Sequence, residues 1–193
     1  REIIVADDAS SDRTVEILKT YGDQIRLVTR TQNSGGCQAT RNLAIRHARG
    51  AYIAFLDHDD AWYPAKLEKQ VSFMESYPEI PMTHTYCEIM DADSKRVGVR
   101  HEGQLPPTGY CFHELLRHCF ITISSVMVRA DIFNAIGGGF NEDPALLSED
   151  YEFFLRVAKR FPIGLINEPL VKYRKSAAGI TSKNWQYQPK AVP

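Results

Sequence analysis

The sequence predicts an α/β fold, with a mostly parallel, Rossmann-like sheet covered by helices and a smaller mixed or antiparallel half. Apolar runs of strand length alternate with amphipathic segments over roughly the first 80 residues, which is the pattern of strand and helix units in a parallel sheet. Beyond Pro81, two extended runs are separated only by a turn, as in an antiparallel hairpin. At 193 residues, 44% of them hydrophobic, the chain is long enough to bury one substantial core.

The first half is predicted to contain three strands and three helices. Short apolar runs predict the strands, at residues 3–6, 25–28 and 51–56. Capping residues and helical spacing predict the helices, at about residues 10–18, 38–49 and 64–77. In the third helix the residues at helical spacing form the expected buried face: Leu67, Val71, Met74 and Tyr77.

The second half is predicted to be less regular. Alternating and apolar runs predict five strands, at residues 83–90, 96–100, 124–128, 163–166 and 170–173. Two shorter helices are expected, near residues 112–118 and 131–136. A strongly amphipathic helix is expected from about Ser148 to Phe161.

Charge and composition exclude several classes of protein. The formal net charge of −1 gives no overall field that favours nucleic acid or an acidic membrane surface. The four cysteines form no C-x-x-C pair, so reduced thiols and a cytoplasmic setting are expected. No apolar run approaches the roughly 20 residues that cross a bilayer. We therefore expect no membrane span, although peripheral association with the inner face of the cell membrane stays open.

Acidic residues follow the first and third predicted strands, as Asp7-Asp8 and as Asp57-His58-Asp59-Asp60. Ligands of open α/β sheets bind beyond the carboxyl ends of the strands, so both groups are expected at one crevice. Acidic residues at such positions also cap the next helix, and for Asp7-Asp8 alone we favour capping. Three carboxylates within four residues repel one another without a cation. The second group therefore favours a hard divalent cation, Mg²⁺ or Mn²⁺, shared with phosphate oxygens.

Two further polar pairs leave alternatives open. Glu149-Asp150 begins the long helix, where acidic residues favour the helix dipole, or where one carboxylate serves as a general base for a bound hydroxyl. Arg41-Asn42 belongs to a solvated helix face, contacts a diphosphate, or pins the acidic turns. Viewed alone, the solvated face is favoured for this pair.

Four ordered motifs resemble those of family 2 glycosyltransferases, the inverting enzymes with the GT-A fold. Residues 5–14, V-A-D-D-A-S-S-D-R-T, look like the V-D-D-G-S-x-D-x-T segment of the family. Residues 33–42 are similar to its N-x-G stretch ending in R-N, and residues 50–60 to its G-x-Y-I-x-F-L-D-x-D-D segment, which carries the D-x-D motif. Gly138-Gly139-Phe140, followed by Glu149-Asp150 and Leu155-Arg156, resembles the later G-G-F, E-D and L-R block. Chance agreement of four motifs in order is small.

The resemblance implies a metal-dependent transferase that uses Mn²⁺ or Mg²⁺. It would move a sugar from a nucleotide-sugar donor, a UDP-sugar as first choice, to a saccharide or lipid-linked acceptor in cell-surface polysaccharide synthesis. The Q-x-x-R-W of processive synthases is absent from the sequence, so transfer of one sugar is expected. The catalytic domain would span residues 1–182, with the nucleotide half at about 1–80 and the acceptor half at 81–182, before a polar tail at 183–193.

The resemblance also implies roles for individual residues. Asp150 would be the catalytic base, with Glu149 beside it. Asp59 would bind the metal together with Asp57, which would also approach the ribose. The nucleotide-sugar-binding residues implied by the motifs are Asp7, Asp8, Ser10, Gly36, Arg41, Asp57 and His58.

Two other functions stay open, the first because of departures from the family pattern and the second because of the arrangement of the acidic residues after the strands. The first strand of the family, V-S-V-I-I-P-x-Y-N, should precede Arg1, so we expect the sequence to be a fragment that lacks it. Ser176 stands where the family's Y-R-x-H segment has His. A degenerate domain that binds a sugar nucleotide or a partner without turnover is one alternative. The other is a phospho-receiver-like domain in which Asp57 accepts phosphate.

Overall fold

The computed structural model of the protein describes residues 1–100, 103, 105–143, 146 and 148–175. In chain order the helices and strands are β1 Ile4–Asp7, α1 Thr14–Lys19, β2 Arg26–Thr29, α2 Gln38–His47, β3 Tyr52–Ala54, β4 Ala61–Trp62, α3 Lys66–Ser76, β5 Met82–Met90, β6 Arg96–Val99, α4 Phe112–Arg117, β7 Met127–Arg129, α5 Ile132–Ala135, α6 Glu149–Ala158 and β8 Ile163–Arg174. The chain forms two compact units, one of Arg1–Ile53 with Ala130–Phe154, the other of Ala54–Arg129 with the chain from Leu155 onwards. The functional division expected near residue 80 stays a prediction.

The first unit contains a parallel pair of strands joined through a helix. β1 pairs with β2 in a register that places Ile4 opposite Arg26. The connecting helix α1 begins where the Asp12 carboxylate accepts the Thr14 N–H over 2.9 Å, which satisfies one of the amides that a helix N-terminus leaves without a partner. The predicted strand, helix, strand order is confirmed here, and it places Asp7 and Asp8 at the carboxyl end of β1.

An aromatic cluster anchors the start of α6 in the same unit. The Phe153 ring is fully buried, and its centroid lies 4.8 Å from that of Phe140 and 5.8 Å from that of Phe133. Rings of this size bury a large apolar area at such separations. The packing of Phe153 therefore fixes α6 close to its first turn, which carries Glu149 and Asp150.

The second unit is built on a mixed sheet. Within this unit the strand order is β7-β5-β8-β4, with β6 paired to β5 on a separate path. β5 and β8 are parallel, whereas the pairings of β5 with β6, of β5 with β7 and of β4 with β8 are antiparallel. The α/β class is confirmed, and this sheet is more antiparallel than the alternation of elements in the first half predicts.

Two predicted strands near the end of the chain form a single strand. β8 runs without interruption over 12 residues, and its register against β5 shifts on either side of Tyr86. The shift leaves the polar residues between the two apolar runs outside the regular ladder, as in a β-bulge. Those polar residues made the single strand resemble two short ones in the sequence.

The helix α3 buries a different face from the one that its apolar residues predict. Lys66, Gln70 and Met74 are the buried residues of this helix, whereas Tyr77 is 47% exposed. Met74 alone was assigned correctly to the buried face. A buried lysine and glutamine need polar partners within the core, and their partners are described below.

Within the described residues, no helix combines the length and the apolar composition that crossing a membrane requires.

Candidate functional site

The acidic turn after β1 is held by hydrogen bonds of its own. Asp7 is 5% exposed, and its carboxylate accepts the Ser10 N–H over 3.1 Å and the Ser10 hydroxyl. Between them, Ala9 adopts a φ of +60°, a left-handed conformation that favours glycine. The family motif has Gly at this position, and Ser10, expected to contact the nucleotide sugar, shapes the turn by binding Asp7.

The Asp8 carboxylate joins the acidic turn to the loop at residues 33–36. It accepts the Ser34 N–H over 2.9 Å and the Ser34 hydroxyl, and it forms an ion pair with Arg30 Nε at 3.0 Å. Burial would raise the pKa of Asp8, but the Ser34 hydrogen bonds and the Arg30 charge outweigh burial and lower the pKa. Asp8 is therefore ionised, and its protein partners fix the position of the turn.

Gly36 lies in the loop that Asp8 holds. Its carbonyl accepts the Ser34 hydroxyl over 2.9 Å, and a Cβ atom at this position would lie 2.2 Å from Gln38 Oε1. A larger residue would force the Gln38 side chain to move. Sequence reasoning singled out Gly36 and missed Ser34, whose only signal was its place inside the N-x-G stretch.

The R-N pair of α2 is packed against the later motifs of the same unit. Arg41 Nη1 donates to Glu149 Oε1 over 2.5 Å, and each of the two side chains is 14% exposed. The Arg41 guanidinium also lies 5.5 Å from the centroid of the Phe140 ring. Arg41 is thus buried beside the start of α6, so the solvated-face hypothesis was wrong for this residue.

Asn42 binds the backbone of the G-G-F loop. Its side chain accepts the Phe140 N–H and donates to the Phe140 carbonyl, both over 2.8 Å. At Gly139 a Cβ atom would lie 2.2 Å from Asn42 Oδ1. Two motifs about 98 residues apart in sequence therefore form one packed piece, which explains why both belong to the same pattern.

The Glu149-Asp150 pair occupies the first turn of α6. The Glu149 carboxylate is engaged by Arg41, whereas Asp150 Oδ1 accepts the Tyr151 N–H over 2.8 Å. Both side chains are partly buried. Acidic residues at this end of a helix interact favourably with the helix dipole.

The acidic loop of the second unit, Asp57–Asp60, is held through its backbone. The Asp57 N–H donates to Ser124 Oγ over 3.0 Å, and the Asp59 carbonyl accepts Arg174 Nε–H over 3.0 Å. The Arg174 N–H donates to Asp60 Oδ1 over 2.9 Å. Ser124 and Arg174 are distant in sequence from the loop, and only Arg174 had a sequence signal, the Y-R of the late family segment.

The three carboxylates of the acidic loop differ in their surroundings. Burial, and then the like charges of Asp59 and Asp57, raise the pKa of Asp60 despite hydrogen bonds from Ser124 and the Arg174 backbone. Asp60 Oδ2 is buried and has no hydrogen-bond partner among the described residues. No described residue donates a hydrogen bond to the Asp59 carboxylate. His58 is exposed.

This arrangement fits a divalent cation that is completed by ligand oxygens. Mg²⁺ in such sites is held by one or two carboxylates together with phosphate oxygens and water, and Asp59 with Asp57 supplies that number. No group of three or more His, Cys, Asp or Glu residues, searched over the described part of the chain, could hold a metal by itself. The crevice predicted to unite the two acidic groups stays a prediction.

Two predicted features lie outside the described residues: Ser176, at the position of the family histidine, and the polar tail at 183–193.

Comparison with known proteins gives a family match over most of the chain. The model of Glycosyl transferase family 2 matches residues 1–137. A UDP-Glc:alpha-D-GlcNAc-diphosphoundecaprenol beta-1,3-glucosyltransferase of Escherichia coli, WfgD, is 32% identical over 188 residues, which cover 96% of this chain and 70% of that protein. An uncharacterised glycosyltransferase of Methanocaldococcus jannaschii is 31% identical over 179 residues, 89% of this chain and 59% of that protein.

Solved structures show the same fold at lower identity. TarS 1–349 of S. aureus, in complex with UDP-GlcNAc, superposes with a TM-score of 0.72 at 19% identity, over 94% of this chain and 51% of that one. The mannosyltransferase PcManGT of Pyrobaculum calidifontis, in complex with GDP-Man and Mn²⁺, superposes with a TM-score of 0.67 at 18% identity, over 95% and 50%. The fold is GT-A, and the chain spans about half the length of these structures.

Proposed function

Since the chain belongs to glycosyl transferase family 2, we propose that it transfers one sugar, with inversion, from a nucleotide-sugar donor to a hydroxyl of a saccharide or lipid-linked acceptor in cell-surface polysaccharide synthesis. The transfer requires Mn²⁺ or Mg²⁺. Family membership leaves the phospho-receiver alternative without support.

The observation that carries this proposal is the condition of the acidic loop. Its backbone is fixed by Ser124 and Arg174, while no described residue donates to the Asp59 carboxylate. The like charges of Asp59 and Asp57 contribute to raising the pKa of Asp60, and positive charge beside the loop would offset this repulsion. A cation bound to the diphosphate of a donor supplies that charge, so the loop suits a nucleoside diphosphate better than an uncharged ligand.

A UDP-sugar is the proposed donor. WfgD is by its name a UDP-Glc-dependent enzyme, and TarS binds UDP-GlcNAc. PcManGT binds GDP-Man, so the same fold also accommodates guanine. In the proposed role, the residues that the motifs single out contact the nucleotide sugar: Asp7, Asp8, Ser10, Gly36, Arg41, Asp57 and His58.

The proposed base is Asp150. The Glu149 carboxylate is bound by Arg41, and the E-D motif of the family implies Asp150 as the residue that accepts a proton from the acceptor hydroxyl. As that proton leaves, the hydroxyl oxygen attacks the anomeric carbon from the face opposite the leaving nucleotide, and the anomeric configuration inverts. When bound, the cation held by Asp59 and Asp57 supplies positive charge that stabilises the leaving diphosphate.

Titration calorimetry of the full-length protein tests the donor site. UDP-, GDP- and dTDP-sugars are titrated with and without Mn²⁺ into the wild type, Asp59→Asn and the control Asp93→Asn, an exposed aspartate of the same unit. We expect binding of one nucleotide that requires Mn²⁺, is lost in Asp59→Asn and is kept in Asp93→Asn. Binding without transfer to any acceptor would support the degenerate domain, and absence of binding in a folded protein would refute the proposal.

A further inference from the structure

Lys66 is buried without a counter-ion. It is among the largest fully buried side chains of the protein, and no carboxylate within the described residues forms an ion pair with it. Its Nζ donates to Gln70 Oε1 over 2.6 Å and lies 4.2 Å from the centroid of the Trp62 ring. Burial lowers the pKa of Lys66 to about 7. A buried ammonium of this kind is costly, so its retention needs a reason beyond stability.

The two partners of Lys66 both bind the same short turn. Trp62 Nε1–H donates to the Ser124 carbonyl over 2.7 Å, and Gln70 Nε2 donates to the Ser125 carbonyl over 3.0 Å. Ser124 and Ser125 belong to a single 3₁₀ turn and are fully buried. The side chains that contact Lys66 therefore hold two successive carbonyl groups of one turn.

The Ser124–Ser125 turn also binds the acidic loop. Ser124 Oγ accepts the Asp57 N–H over 3.0 Å. A continuous set of contacts thus runs from Lys66 through Trp62 and Ser124 to Asp57. Each step joins buried or half-buried groups, where hydrogen bonds and cation–π contacts are stronger than in water.

We propose that Lys66 is a positioning residue for donor binding, acting through Trp62 and Gln70 on the Ser124–Ser125 turn and so on the acidic loop. This inference rests on the proposed function. Lys66 Nζ packs against the Trp62 ring and donates to Gln70 Oε1, so it fixes the plane of that ring and fixes which end of the Gln70 amide faces it. With an apolar residue in its place, Gln70 Oε1 loses its donor, and the amide is held only at Nε2, by the Ser125 carbonyl and Thr83 Oγ1 among the described residues.

The first test compares two lysines on the same helix. Lys66→Met keeps the apolar stem and removes the ammonium, and Lys69→Met makes the same change at a half-exposed site that pairs with Glu168. We expect Lys66→Met to weaken the binding of UDP in the presence of Mn²⁺ about ten-fold, as changes at other groups that orient a metal ligand do. At pH values below 7, Lys66→Met should melt at a temperature no lower than that of the wild type. Lys69→Met should bind as the wild type does.

A double-mutant cycle tests the route of the effect. Ser124→Ala removes the acceptor of the Asp57 N–H, and we expect it alone to weaken UDP binding about ten-fold. If Lys66 acts through this turn, adding Lys66→Met to Ser124→Ala weakens binding little further, because coupled sites are not additive. Full additivity of the two changes would overturn the proposed route.

Hydrogen exchange separates this inference from the proposed function. We expect the Asp57 amide to exchange faster in Lys66→Met than in the wild type, and unchanged in Lys69→Met, whether or not a nucleotide binds. If the wild type binds none of UDP, GDP and dTDP, the proposed function fails while the exchange result still decides the positioning. Wild-type affinity and wild-type Asp57 exchange in Lys66→Met would overturn the inference alone.

Trp62→Phe decides the question if Lys66→Met does not fold. Phe keeps an aromatic face over Lys66 but has no N–H for the Ser124 carbonyl. UDP binding about ten-fold weaker, with faster exchange at Asp57, supports the route, and wild-type behaviour in both measurements overturns it.

Discussion

Arg41 of α2 and Glu149 of α6 form an ion pair of 2.5 Å in which each side chain is only 14% exposed. The pair ties the R-N motif to the E-D motif within one compact unit of the protein.

Removal of Arg41 should destabilise the protein strongly. Arg41→Met leaves the Glu149 carboxylate partly buried without its partner, and we expect a loss of about 3 kcal/mol in the free energy of unfolding. Arg46→Met is the matched control on the same helix, because its contact with Glu142 is 4.0 Å long and exposed, and it should change stability by less than about 0.5 kcal/mol. Urea unfolding of both variants measures the difference, and equal losses would contradict a special role of the pair.

Loss of the Asp150 carboxylate should affect turnover and not donor binding. We expect Asp150→Asn to lower kcat by about 10²–10⁴-fold, the usual contribution of a general base, with an unchanged Kd for the donor. Glu149→Gln should lower stability more than Asp150→Asn does, because it breaks the ion pair with Arg41. Steady-state kinetics with calorimetry separates the two, and near-normal turnover of Asp150→Asn would remove Asp150 from the base role.

Ala9→Gly should stabilise the protein. Ala9 has a φ of +60°, where a Cβ atom costs about 1–2 kcal/mol. Glycine removes this cost, but its greater conformational freedom in the unfolded chain offsets roughly half of the resulting stabilisation. We expect a net gain of about 0.5–1 kcal/mol in thermal or urea unfolding. The same change at Ala44, inside α2, should instead cost about 1 kcal/mol.

Stability should depend on pH through Lys66. Burial lowers the pKa of Lys66 to about 7 from its ordinary value of 10.5, so between these values the unfolded chain binds a proton that the native state lacks. Stability of the wild type relative to Lys66→Met should therefore rise with pH from about 7 to 10.5, by up to about 1.4 kcal/mol per pH unit. Below pH 7 the variant should be the more stable protein, because it buries no ammonium.

Besides burial, the Cys87 thiol of β5 is the one group in the described part of the chain that affects the pKa of Lys66. Burial raises the pKa of Cys87 to about 11, so this thiol stays protonated over the same range and does not cause the expected trend. Urea unfolding of both proteins at several pH values measures it. A stability difference that is independent of pH would show that Lys66 keeps its proton in the folded protein as it does in the unfolded chain.

Local pattern was enough for most of the secondary structure and for the candidate motifs. The strands β1, β2 and β5 and the helices α2 and α6 begin and end within a few residues of their predicted bounds, because hydrophobic periodicity and capping residues act over one or two turns. Pattern failed at α3, where the buried side is the polar one. The sequence of the helix alone does not show that Lys66 and Gln70 have hydrogen-bond and ring partners on other elements.

The sequence by itself determined the α/β class, the order of the motifs and the residue types at the candidate site, since each depends on neighbours within a few positions. Only the tertiary structure decided what those residues contact. Arg41 meets Glu149 and Asp57 meets Ser124 across separations of 108 and 67 residues. The physical reason is that burial, hydrogen-bond partners and pKa shifts depend on distance in space, which the chain sets only when its elements pack.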